Sequence, residues 1–369
     1  MKIVSISLYK VEIPMVSSFT TSFGKISKRP TAIVKIKTDE GIVSWGEAAA
    51  LPFPYYKPET VDTCLLVLKD YISPLVLGWG FRRVEDLMGR LKLVKGNNFA
   101  KSGIETSVWM AISIKQNKPL SKVIGGTRNK IGVGESIGIM GSISQTLEEI
   151  SLRLSQGYQR IKVKIQPKWD IQVVEAIRNK FSSINLMVDA NSAYTLGDTE
   201  ILKKLDSYDL TMLEQPLADD DIIDHAVLQK QIKTPICLDE SIHSVDDARR
   251  AISIDACRMI NIKPGRVGGL LESKRVHDLC QSNNVGVWCG GMLESGIGRA
   301  FNIAVASLPN CIYPADMSPN QEYFKDDLVT ESFVVDDRGF VNVPQTSGLG
   351  FIVDEKKVKK YTTAKINVT

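Results

Sequence analysis

"RIKVKIQPKWDIQVVEAIRNKFSSINLMVDAN", residues 160–191, sets two short apolar-rich runs, "RIKVKI" (160–165) and "NLMVDAN" (185–191), on either side of an amphipathic stretch. The first run alternates Ile161, Val163 and Ile165 with Lys162 and Lys164, the period of a strand. A strand, a helix and a second strand in that order make a parallel crossover unit. The same rhythm starts at 131 and continues through "IGVGESIGI" (131–139), "TMLEQP" (211–216), "PICLDES" (235–241), "RMINIKP" (258–264), "VGVWCGG" (285–291) and "CIYPADM" (311–317). Helical stretches such as "SVDDARRAIS" and "LLESKRVHDLCQ" lie between them. Eight strands in strict βα alternation predict an α/β fold of the (β/α)8-type, a TIM barrel. The competing doubly wound sheet lacks its glycine fingerprint, since no GxGxxG opens a helix early in this region.

Outside that core the pattern changes. Residues 2–15 and 31–49 read as strands, and "TDEG" (38–41) as the hairpin turn between "TAIVKIK" and "IVSWGEA". Helical stretches follow at 58–75, 82–95 and 100–117, so the first part is α+β. After about 320 the alternation stops, and "ESFVVDDRGFVNVPQTSGLGFIVDE" reads as a hairpin and strand that return to the N-terminal part. The expected division is 1–125 as an α+β domain, 126–320 as the barrel and 321–369 as the returning segment.

Composition is that of a globular protein: 43% apolar, 24% charged, and 46 basic against 42 acidic residues, a formal charge of +4. The excess is thinly spread, which argues against a nucleic-acid partner or a polybasic membrane surface. No apolar run approaches the roughly 18 residues of a membrane span, and "MKIVSISLYKVEI" lacks the apolar core and cleavage site of a signal peptide. Six cysteines without CxxC spacing imply reduced, buried thiols and a cytoplasmic protein. Three histidines without ligand spacing leave no histidine-based metal site or Ser/His triad.

In a (β/α)8 barrel the chemistry stands at the C-terminal ends of the strands. Those ends carry Lys162 and Lys164, then Asp189, Glu214, Asp239 with Glu240, and Lys263. From Lys164 the steps are 25, 25, 25 and 24 residues, one βα unit each, so the five are expected at one height around the mouth. A single acidic residue there is as readily a helix N-cap, and a single lysine a snorkelling surface chain. Three carboxylates on adjacent strands repel one another unless a cation neutralises them. Hard oxygen donors without His or Cys favour Mg²⁺, with Mn²⁺ or another divalent ion as alternatives. The lysines then flank the ion. An ammonium beside a divalent cation and a second lysine has its pKa pushed down, which makes a neutral amine available as base. Lys164 and Lys263 are the expected acid/base pair, with Lys162 and Arg266 tuning them. A metal on a substrate carboxylate acidifies the α-proton and stabilises the enediolate formed on its removal.

These residues resemble the K-x-K, D, E, D and K pattern of the enolase superfamily, muconate-lactonizing subgroup. Within it the chain is similar to the o-succinylbenzoate synthase / N-succinylamino acid racemase family over essentially its whole length. "SFTTSFG" (18–24), "WGEAAALPFPYY" (45–56), "KVKIQPKWD" (162–170), "DANSAYTL" (189–196), "MLEQPL" (212–217), "CLDESI" (237–242), "NIKPGRVGG" (261–269), "GGMLESGIGR" (290–299) and "PADMSP" (314–319) carry the similarity. The resemblance implies a capping domain, built from the N- and C-terminal segments, over the barrel mouth. It implies Mg²⁺ on Asp189, Glu214 and Asp239, and Lys164 with Lys263 as acid/base residues. It also implies a small-molecule carboxylate substrate and a homo-oligomer. The "SFTTSFG" loop would cover the substrate, with Phe19, Phe23 and Tyr55 against its apolar body; the alternative for these three is capping-domain core. Ser136 and Asn191 would be polar substrate contacts, and Gly290, Gly291 and Met292 a strand end where backbone approaches ligand.

Two reactions fit: dehydration by α-proton removal with loss of β-hydroxide, a step of menaquinone biosynthesis, and racemisation of an N-acylamino acid, which needs both lysines. A cycloisomerase or a dipeptide epimerase is the alternative within the subgroup. The epimerases tend to carry Asp-x-Asp on the eighth strand, where this chain has Asp316 alone, and the seventh strand offers no histidine for a mandelate-racemase-type pair. Outside the subgroup stand a Schiff-base class I aldolase-type barrel on Lys164 or Lys263, and a non-catalytic binding relative. One departure from the family pattern is Lys168, where a glycine is expected.

Overall fold

The computed structural model describes the backbone of residues 1–21 and 24–368, and the side chains of residues 1–16 and 28–368. The described residues form two sheets. The first begins with the antiparallel strands β1 (Ile3–Thr21), β2 (Gly24–Thr38) and β3 (Val43–Ala48). On β1 the buried set runs Ile6, Leu8, then Val11, Ile13 and Met15. The three-residue step from Leu8 to Val11 spans Lys10/Val11, where pairing with the last strand slips. The extra residue, Thr363, belongs to the last strand, while β1 pairs with β2 without a break from Ser5 to Pro14, so Val11 and Ile13 lie on one face of the sheet and Ile6 and Leu8 on the other, the face of Val34 and Gly46. Helix Asn98–Gln116 covers that face, and its approach to β3 is close enough that a Cβ on Gly46 would stand 2.1 Å from the carbonyl oxygen of Gly103.

The second sheet is the barrel. Its parallel strands are β4 (Lys130–Ile137), β5 (Ile161–Lys164), β6 (Leu186–Asp189), β7 (Leu213–Glu214), β8 (Ile236–Leu238), β9 (Met259–Ile262), β10 (Gly286–Cys289) and β11 (Ala315–Asp316). They pair in sequence, β11 lies beside β4, and a bridge from Val287 to Cys311 nearly closes the ring. On β5 and one residue past it, Ile161, Val163 and Ile165 face outward into the main core, while Lys162 and Lys164 point inward. Met187, Met212, Cys237, Met259 and Trp288 form a separate apolar cluster with Tyr313 against it. This is the barrel's floor; each of its first four members precedes an inward polar residue by two positions. The six cysteines are all buried and unpaired among the described residues.

After the barrel, β12 (Phe340–Asn342) pairs antiparallel with β4, and β13 (Thr362–Val368) pairs antiparallel with β1 at the edge of the first sheet. The segment beyond 320 therefore contributes to both bodies.

Three buried groups tie cap to barrel. Arg29 donates to the carbonyls of Ala49 (2.8 Å), Ala50 (2.7 Å), Met292 (3.0 Å) and Leu293 (3.0 Å). Glu47 accepts from Ser295 Oγ at 2.6 Å and from the Gly298 amide at 3.0 Å, at the start of helix Gly296–Ala306. Glu105 accepts from the Leu270 and Leu271 amides at 2.9 and 2.8 Å, at the start of helix Leu270–Ser282. Carboxylates at helix N-termini satisfy orphan N–H groups and complement the helix dipole.

Candidate active site

Strand register sets the layout. Lys164 pairs with Asp189, and Asp189 with Glu214, in direct register across β5, β6 and β7. Glu214 then pairs with Cys237, so Asp239 lies two residues further along, and since Cys237 pairs with Met259, Lys263 lies two further again. The five are thus not level along the ladders, as an equal spacing of about 25 residues predicted. Stagger of this kind accompanies strand tilt in a closed barrel and brings their side chains together at the mouth.

The contacts are short. Lys164 Nζ donates to Asp189 Oδ2 at 2.6 Å and to Asn191 Oδ1 at 2.7 Å. Asn191 Nδ2 in turn donates to Glu240 Oε1 at 2.8 Å. Lys162 Nζ lies 3.0 Å from Glu214 Oε2, 3.4 Å from Asp189 Oδ2 and 2.6 Å from Asp316 Oδ2. Asn261 Nδ2 donates to Glu214 Oε1 at 2.7 Å. Lys263 Nζ donates to Asp239 Oδ2 at 2.7 Å, while Asp239 Oδ1 accepts from Tyr56 at 2.8 Å and pairs with Arg266. All three lysines and all three carboxylates are buried.

Burial raises the Asp189 carboxyl, but the ammoniums of Lys164 and Lys162 overcome it and hold it well below the usual carboxylate range. Glu214 is raised by burial and by the nearby charge of Asp189. Burial lowers Lys263, yet Tyr56, Glu240, Glu214 and Asp189 outweigh it and hold the amine above its ordinary value; Lys162 is raised likewise by Asp316, Glu214 and Asp189. Both amines stand above their ordinary value because the carboxylates have amines as their counter-charges.

Asp189, Glu214 and Asp239 offer hard oxygen donors at consecutive strand ends, and Glu240 Oε2 is buried without a hydrogen-bond partner among the described residues. This donor chemistry fits a hard divalent cation. Among the described residues no three acidic, histidine or cysteine side chains are gathered around one point, since each carboxylate of the trio is drawn to an amine.

The other sequence-derived candidates divide. Ser136 pairs with Lys162 across β4 and β5 and shares its inward face. Gly290 fits against Lys263: a Cβ there would stand 2.8 Å from Lys263 Cε and 2.4 Å from Asn261 Oδ1. A Cβ on Gly291 would meet Arg299 Nη1 at 2.6 Å, and Met292 is buried with its carbonyl on Arg29. Tyr55 stands apart from the buried cluster. It is 43% exposed and packs on Phe53, with ring centroids 4.4 Å apart, while the next residue, Tyr56, turns into the site. A tight turn reverses side-chain direction between neighbours, which residue type alone does not reveal. Phe23 and the Phe19 side chain lie outside the described residues.

Tyr56, Asn261 and Asp316 are contacts beyond the sequence-derived set. Asn261 was legible as the middle member of the inward series Met259, Asn261, Lys263; Tyr56 had no comparable signal. Lys168, in place of the expected glycine, takes φ +72°. It follows Pro167 in a turn closed by the Trp169 amide on the Gln166 carbonyl at 2.8 Å, the geometry that favours glycine as third residue.

The fold and site define a barrel with buried lysines around a carboxylate trio at its mouth. Residues 3–125 match the mandelate racemase / muconate lactonizing enzyme N-terminal domain, and residues 145–357 the enolase C-terminal domain-like family. The chain belongs to this family, within the enolase superfamily. It is similar to the o-succinylbenzoate synthase of Bacillus subtilis (strain 168), 46% identical over 98% of this chain and 97% of that one. It is also similar to the N-succinylamino acid racemase of an Amycolatopsis species, 41% identical over 99% of both chains. An enolase superfamily member from Listeria innocua superposes with a TM-score of 0.96 at 41% identity, covering 100% of this chain and 99% of that one. A dipeptide epimerase from Cytophaga hutchinsonii, in complex with Mg and the dipeptide D-Ala-L-Val, gives 0.92 at 25% identity over 100% of both. Among the described residues no helix is long and apolar enough to cross a membrane.

Proposed function

We propose that this protein removes a proton α to a carboxylate in a small-molecule substrate, as an o-succinylbenzoate synthase, an N-succinylamino acid racemase, or both. The observation that carries the reading is the pair of buried amines, Lys164 and Lys263, each on a carboxylate at opposite ends of the trio. Relatives of both names lie at similar identity to this chain.

Asp189, Glu214 and Asp239 would hold a divalent ion, Mg²⁺ before Mn²⁺. When bound, that ion supplies the Lewis-acid charge that acidifies the α-proton and neutralises the enediolate. Lys164 takes the α-proton at its Nζ on one face of the substrate. For racemisation Lys263 Nζ returns a proton on the other face; for dehydration its ammonium stays as a counter-charge while the β-hydroxide leaves. Lys162 contributes a second fixed cation, and Arg266, beside both Asp239 and Tyr56, orients the carboxylate that Lys263 meets. Ser136, Asn191, Glu240, Gly290, Gly291 and Met292 would border the substrate.

Asp316 has both oxygens taken by Arg160 and Lys162, and Ser318, two residues on, donates to Glu135. Neither is left for a substrate ammonium, which favours an N-acylated substrate over a dipeptide.

The test is ¹H NMR in D₂O with an N-succinylamino acid, alongside conversion of the synthase substrate. EDTA-sensitive loss of the α-proton signal, restored by Mg²⁺, supports the reading. Borohydride trapping of a substrate adduct on Lys164 or Lys263, with activity indifferent to EDTA, would replace it with Schiff-base chemistry.

A further inference from the structure

Asp316, on β11, is an inward carboxylate that bridges a lysine of the site and an arginine below it. Its Oδ1 lies 2.6 Å from Arg160 Nη2 and its Oδ2 2.6 Å from Lys162 Nζ. The guanidinium is fixed from below as well: Arg160 donates to the carbonyls of Glu135 (3.2 Å) and Pro314 (3.0 Å). It occupies the space left by Gly134, where a Cβ would stand 2.4 Å from Arg160 Cζ. Arg160 and Lys162 both lie over the Trp288 ring, at 5.2 and 4.8 Å from its centroid. Lys162 is thus held from two sides, by Asp316 and Trp288 at the floor and by Glu214 and Asp189 at the mouth.

The two sides differ in what binding does to them. Glu214 and Asp189 are carboxylates that a divalent ion would claim; Asp316 is paired through its other oxygen to Arg160. A buried ammonium stripped of every counter-charge is strongly disfavoured. We propose that Asp316 is a positioning residue: it keeps Lys162 paired and in place when Asp189 and Glu214 turn to a divalent cation, and so sets the affinity of the site for that ion. This rests on the divalent-ion reading above. The Arg160–Asp316 pair is then a fixed anchor below the mouth, and Lys162 a charge that does not follow the carboxylates.

Calorimetric titration with Mg²⁺ alone, without substrate, tests it. Asp316→Asn is expected to weaken Mg²⁺ binding at least tenfold relative to the unchanged protein. In a Lys162→Gln background the same substitution is expected to change the affinity less than twofold, because no ammonium remains to be stranded. A merely structural role for Asp316 would give equal losses in both backgrounds and overturn the proposal, as would undiminished binding by Asp316→Asn. If Asp316→Asn fails to fold because Arg160 is left unpaired, Arg160→Gln/Asp316→Asn removes both charges, and the same comparison with and without Lys162→Gln decides. No Mg²⁺ binding by the unchanged protein would instead overturn the divalent-ion reading itself.

Discussion

Lys164 and Asp189 stand opposite one another in direct register on neighbouring strands, with Nζ and Oδ2 2.6 Å apart. Lys263 meets Asp239 at 2.7 Å on the far side of the trio, but two register steps further along. The two amines are therefore held independently, by different carboxylates and different strands, and their removal has separable consequences.

Lys263→Ala is expected to abolish racemisation and leave the fold intact. Asp239 keeps Tyr56 and Arg266 as partners, so no carboxylate is stranded. Loss of a positioned acid/base group costs roughly 10²–10⁴-fold in rate. α-Proton exchange should persist for one enantiomer of the substrate and vanish for the other. Normal racemisation by this variant would refute the two-base reading.

Gly290→Ala places a methyl group 2.8 Å from Lys263 Cε and 2.4 Å from Asn261 Oδ1. Overpacking of this kind costs about 1–3 kcal/mol. A displacement of order 1 Å at a catalytic group costs about 100-fold. Racemisation should fall further than Lys164-side exchange, measured on the same sample by NMR. Equal loss of both would show that the methyl group disturbs the whole mouth.

Glu105 bears on pH. Burial pushes its carboxyl up to about 7, against the lowering by the Leu271 and Leu270 amides and Trp109. The folded chain therefore keeps a proton, over a window from about pH 4.3 to about 7, that the unfolded chain has lost. Stability falls as pH rises through that window and levels off above it. Glu105→Gln should flatten the decline by an amount on the order of 2 kcal/mol between pH 5 and 8, read from urea unfolding. Parallel pH curves for the two proteins would contradict the assignment.

Lys168→Gly should raise stability by about 1 kcal/mol, since a non-glycine residue at positive φ carries a steric cost of that size. The carbonyl that accepts from Gln172 belongs to the backbone and is unaffected. An unchanged or lower urea midpoint would mean that the Lys168 side chain contributes contacts of its own.

The barrel was legible because each strand carries its signal locally. In "RIKVKI" the apolar residues at every second position must leave water on one side, which forces the lysines to the other. Regular spacing then puts Lys164, Asp189, Glu214, Asp239 and Lys263 at successive strand ends. Asn261 was within reach of the same alternation.

The sequence by itself determined which side chains point into the barrel and in what order around it, because strand period and one βα unit per step are properties of neighbouring residues. Tertiary structure alone decided the rest. It turned Tyr56 onto Asp239, staggered the register so that Asp239 and Lys263 reach one mouth, and set Asp316 between Arg160 and Lys162, 156 and 154 positions away along the chain. Glu47 finds Ser295 across 248 residues, and Glu105 finds Leu270 across 165. Pairings of buried charge depend on which groups share a low-dielectric space once the ring closes, and no local pattern encodes that.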